Sequence, residues 1–190
     1  MTDEPDMASE SAPEDGRLPP AANVVAEFKR ALRGRDGRDH DMLMELLVEL
    51  HQTNLAQWDL EDVTRGRDVS DHAIANAKRD IDQLNLQRHR LVQEVDAAIS
   101  DVVSQTATAT PSTETPAMVF DRLSVLVIRI DRTELIATSS RSDAGVYAAR
   151  LPSLHRQLDA LGSALDALLR DVRDGTRRFI PYEHQKLYAP

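Results

Sequence analysis

Four long stretches of this chain place leucine, isoleucine and valine at intervals of three and four residues. That spacing is the strongest constraint on what it can fold into. The clearest stripe is Leu154, Leu158, Leu161, Leu165, Leu168, Leu169 and Val172, closed by Gly175. A second begins with Leu43, Leu46, Leu47 and Leu50, and a third runs through Ile74, Ile81, Leu84, Leu91, Val92, Val95, Ile99 and Val102. The fourth holds Met118, Leu123, Leu126, Val127, Ile128 and Ile130. Its Val125–Ile128 run could pass for a buried strand, but its length and charged flanks favour helix. The pattern predicts helices over about 21–32, 39–65, 70–104, 116–138 and from 152 to Gly175. Ser70 and the Thr115-Pro116 pair are expected N-terminal caps, and Gly66 a C-terminal one. The third helix would span roughly 50 Å. Short connections make neighbours antiparallel, so the expected fold is all-α: an antiparallel bundle of about five helices, forming one domain over 21–190. The two-proline loop from 105 to 116 is the long exception.

Composition narrows the function. Of 190 residues, 41% are hydrophobic and 29% charged, which suits a globular protein. Cysteine is absent, which excludes disulfides, thiolate metal sites and a cysteine nucleophile. A net charge of −9 argues against nucleic acid as a partner. No run of 18 apolar residues and no basic-then-apolar leader is present, so the expected location is the cytoplasm, away from membrane. Residues 1–20 hold four of the nine prolines and six acids against Arg17 alone, a charge of −5. With almost no apolar content they read as a disordered acidic tail.

Polar residues occupy positions where core is expected. On a helical wheel with Leu43 at zero, Leu47, Leu50, Asn54, Trp58, Glu61 and Arg65 all fall within about 60°. His51 and Asp62 flank that stripe. The core direction of the next helix includes Asn85 and Arg88, with Lys78, Asp82 and His89 beside it. Lys78 and Asp82 are spaced to pair. Asp121 and Arg122 stand in the first turns of the fourth helix, with Arg129 on the same side as Arg122. Buried charges must be paired or hydrogen-bonded, or they must line a wet pocket. One reading is a structural network that fixes helix register. The other is a ligand pocket, favoured because a register device needs one or two polar residues and eight are in place. A metal site is not expected, since no Glu-x-x-His occurs and the six histidines lack zinc spacing. No glycine-rich phosphate loop is present. Arg177-Arg178 reads as a solvated basic cap.

The same residues carry a resemblance. The string from Leu50 and His51 through Asn54, Trp58, Glu61 and Asp62 to Arg65 resembles the family filed as domain of unknown function 4254. So do Lys78-Arg79-x-Ile81-Asp82-x-Leu84-Asn85-x-x-Arg88, Thr113-Glu114-Thr115-Pro116 followed by Asp121-Arg122-Leu123-Ser124, and the ending from Gly175 through Phe179, Tyr182 and Lys186 to Tyr188. The likeness spans about residues 21–190. The chain departs from the pattern at Asp59, where a histidine often follows the tryptophan, at Leu86 and His89, and in lacking Asn-Asp before the final proline. The family name carries no activity, but its members look as though they accompany sugar and natural-product biosynthesis. A second similarity, to the aziridine-forming, sulfate-expelling cyclases of azabicyclic natural-product pathways, rests on no motif that separates that subgroup.

That similarity implies a cofactor-independent enzyme of lyase or cyclase type. It would promote intramolecular displacement of sulfate or phosphate from a small polar or anionic metabolite, with an upstream sulfotransferase as a possible partner. Asp62 or Asp82 would take the amine's proton, and Arg65, Lys78, Arg88 or Arg122 would stabilise developing charge. His51, Asn54, Trp58, Glu61, Arg65, Asn85, Arg88, Asp121 and Arg122 would line the pocket. The alternative is a non-catalytic helical scaffold, or a sugar-phosphate-binding accessory protein of glycan biosynthesis.

Overall fold

The computed structural model describes residues 18–34, 40–66 and 69–181. In chain order the elements are α1 (Ala21–Ala31), α2 (Met42–Thr64), α3 (Asp71–Val102), β1 (Thr110–Pro111), α4 (Pro116–Ala137), α5 (Ala144–Ala148), α6 (Leu151–Arg173) and β2 (Arg177–Arg178). The five expected helices are all present, and the Val125–Ile128 run is helical, inside α4. The five-residue α5 and the two-residue strands add to them. The acidic tail 1–17 and the aromatics Tyr182 and Tyr188 lie outside the described residues. Leu18, assigned to the tail by sequence, packs half-buried against the core.

Local chemistry sets the helix ends. Asp41, Ser70 and Thr115 cap α2, α3 and α4, each accepting from the backbone N–H three residues on, at 2.8, 3.3 and 3.2 Å. Pro116 fills the first helical position, where its missing N–H costs nothing. Gly175 ends α6 with φ 71°, in the left-handed region. Gly66, after α2, is needed for room instead. A Cβ there would meet Val69 Cγ2 at 2.6 Å.

Two helix starts are completed from other helices. Pro20 offers α1 no side-chain cap, and the Ala21 N–H donates to Asp166 Oδ1 on α6 at 2.7 Å. At α4 the fully buried Asp96 of α3 accepts from the Ala117 N–H at 3.0 Å. α4 is the central helix, with eleven buried residues. Its Phe120, Leu123 and Val127 join Val24 and Phe28 of α1, Leu47 and Leu50 of α2, Leu91, Val95 and Ile99 of α3, and Leu165, Leu169 and Val172 of α6 in one core.

α2 and α3 form the most extensive helix pair, and a bond from Gln87 Nε2 to Glu49 Oε1 at 3.0 Å fixes their antiparallel register. The core does not follow this hairpin to its tip. The last buried residue of α2 is Asn54, and in the first half of α3 only Ala77 and Ile81 are buried.

Asp96→Ala should leave the Ala117 N–H without its acceptor and lower the free energy of urea unfolding by about 2 kcal/mol. Thr115→Ala, which removes an ordinary cap, should cost about 1 kcal/mol. Equal losses would show that the Asp96 contact is worth no more than a side-chain cap.

Candidate functional site

The sequence-predicted residues separate into three groups. The first is a buried polar cluster where α2 meets α4. His51 Nδ1 lies 2.8 Å from Ser124 Oγ. Asn54 Nδ2 donates to Asp121 Oδ1 at 2.9 Å and to Ser124 Oγ at 3.1 Å. Asn54 and the His51 ring therefore meet on one Ser124 hydroxyl. The second ring nitrogen, Nε2, is buried and bonds to no side chain among the described residues. The ring stacks on Phe28 of α1, with centroids 4.4 Å apart and planes 6° apart. Burial lowers the His51 pKa from 6.5 to about 4, and the Phe28 backbone offsets only part of that shift. Ser124 was missed by sequence because a serine in an apolar helix looks like a neutral filler. Its position three residues after Asp121 was the available signal.

The second group lies toward the hairpin tip and corrects the expected interior pocket. Asp62, Arg65, Lys78 and Asp82 are exposed. Arg65 pairs with Glu61 at 3.3 Å and Asp62 at 3.4 Å, and Lys78 pairs with Asp82 at 3.3 Å, all within single helices. Side-chain exposures run from 42% to 68%, so water screens these pairs and each is worth a few tenths of a kcal/mol. Past Asn54 no residue of α2 is buried, so these side chains have no packed core to meet. Trp58, Glu61, Asn85 and Arg88 are half-buried on the same stretch, and the α2–α3 register sets Trp58 level with the turn containing Lys78 and Ile81. Asp59 bonds Arg132 of α4 at 2.7 Å, a contact between the two helices.

The third group is a cleft of about 310 Å³ on the opposite side of α4, against α6. Its lining includes Arg122 and Val119 of α4, Ser112, Thr113 and Glu114 of the preceding loop, Asp171 at the end of α6, and Arg177 of β2. Arg122 pairs with Glu114. Arg177 Nε lies 3.4 Å from Asp171 Oδ2. The loop is held in place: β1 and β2 pair in parallel, Ser112 N–H donates to the Arg178 carbonyl at 2.7 Å, and Phe179 N–H donates to Gln105 Oε1 at 2.7 Å. Arg177 lines the cleft while its side chain stays 43% exposed. Glu114 was visible in the Thr-Glu-Thr-Pro string, but its neighbours are too distant in sequence for any spacing rule to find.

The adjacent residues Asp121 and Arg122 thus serve opposite sides of α4. In the α2–α4 cluster His51, Asn54 and Ser124 are buried and bonded to one another, which suits the register reading. The α4–α6 cleft has room for a guest. Its ion pairs are partly exposed and weak, so an incoming anion can take over a guanidinium at little cost. Guanidinium groups hold sulfate or phosphate oxygens in a two-point geometry.

A family model described as a protein of unknown function, DUF4254, matches residues 44–180, and the chain belongs to that family. No curated protein and no solved structure matches it.

The depressed His51 pKa carries a pH dependence. The unfolded ring protonates near 6.5 while the folded ring resists to about 4. The stabilisation is therefore complete above pH 6.5 and is lost as pH falls from there toward 4, by about 3 kcal/mol in total. His51→Gln should flatten the change in urea midpoint between pH 7 and 5, where most carboxylates remain ionised. An unchanged slope would remove His51 as its source.

Proposed function

We propose that this family member binds a small metabolite bearing an anionic leaving group, sulfate or phosphate, in the α4–α6 cleft and promotes displacement of that group by the metabolite's own amine. The observation that carries the reading is the meeting of two guanidinium groups, Arg122 and Arg177, with two carboxylates, Glu114 and Asp171, around one cavity. The reaction needs both kinds of group. The amine nitrogen attacks the carbon bearing the ester oxygen, the N–C bond forms, and the C–O bond breaks with its electron pair leaving on the anion. The ammonium proton passes to a carboxylate, for which Glu114 stands next to Arg122. Arg122 receives the developing negative charge. No electrons are gained or lost overall.

When amine and leaving group sit on adjacent carbons the product is an aziridine, the narrowest form of this reading. A sulfotransferase or kinase would supply such a substrate. A second reading, non-catalytic binding of a sugar phosphate, draws on the fact that both carboxylates already bond arginines. It predicts stabilisation by the ligand without turnover.

The test is sulfate release and ring closure from 2-aminoethyl hydrogen sulfate. Arg122→Ala should lower the rate about 10²- to 10³-fold, and Glu114→Gln by at least about 10²-fold, with unchanged thermal unfolding. If Asp62→Asn abolishes turnover while Arg122→Ala keeps it, the chemistry belongs to the hairpin and the cleft reading is wrong.

A further inference from the structure

The cleft is not equally polar along its length. Its charged and hydroxyl groups gather at the end formed by Ser112, Glu114, Asp171 and Arg177, with Arg122 next along α4. Toward the other end the α6 wall is Leu168, Ala167, Ala164 and Leu161. From Asp171 back to Leu161 is ten residues of one helix, roughly 15 Å. A sulfate or phosphate head fills only the charged end. Small side chains at Ala164 and Ala167 keep the remainder open, and leucines border it. Water in that half gains few hydrogen bonds from the wall, so apolar ligand atoms are the better occupant.

We infer that the ligand of this cleft is amphipathic: an anionic head held at the Arg122–Arg177 end, continued by an apolar chain of several carbons along α6 over Ala167 and Ala164. This rests on the cleft being the ligand site, and it adds the part of the molecule that does not react. Ala167 is then a specificity-determining position, because a larger side chain there would cut the apolar half off from the head.

The test is calorimetric titration of the full chain with methyl, butyl and hexyl sulfate. Affinity should rise roughly two- to fourfold per added methylene, the upper figure being that for full burial. Ala167→Leu, a helix-compatible change at a half-exposed position, should leave methyl sulfate binding unaltered and abolish most of the gain with chain length. Arg122→Ala should weaken all three probes by a similar factor. If all three sulfates bind equally well, or if Ala167→Leu leaves the chain-length gain intact, the amphipathic inference is overturned while the anion site stands. If none of the three binds, the cleft reading fails along with it.

Discussion

A buried carboxylate determines where the central helix begins. Asp96 sits fully enclosed in α3 and accepts from the first turn of α4 at the Ala117 N–H. A carboxylate in that position is costly unless its charge is met, and a helix N-terminus supplies N–H groups and a favourable dipole together. Thr115 and Pro116 complete the same turn from the sequence itself. Once that start is fixed, every later residue of α4 has its height and direction set. Ser124 arrives opposite His51, Arg132 opposite Asp59, and Arg122 above the cleft.

α4 therefore divides two kinds of polarity. On its α2 side His51, Asn54 and Ser124 are buried and bonded to one another, so they specify which helices meet and in what register. On its α6 side they are half in water and bonded loosely, so they can exchange partners. Neighbouring residues of one helix point about 100° apart, which is how Asp121 joins the first set and Arg122 the second.

Most of the fold was legible because its signal is periodic. The leucine stripe of α6, the Ser70 and Thr115 caps and the stop at Gly175 all act within a few residues of themselves. The short α5 has no such repeat, being Ala-Gly-Val-Tyr-Ala between two long helices. The site was less legible for two separate reasons. A helical wheel shows which way Arg65 and Lys78 lean, but not whether a core exists at that height to receive them. The cleft is assembled from the loop before α4, the end of α6 and the strand after it, and nothing in local spacing links Glu114 to Arg177.

The pairing of β1 with β2 has a consequence for how a guest would be received. Thr110 bonds to Thr176 and Ser112 to Arg178, so the segment leading to Glu114 is stitched to the strand after α6. Its conformational freedom is surrendered when the domain folds, before any guest arrives. A rim set in advance spares the association step the ordering entropy that a loose loop would demand. A guest entering there would find that rim already formed.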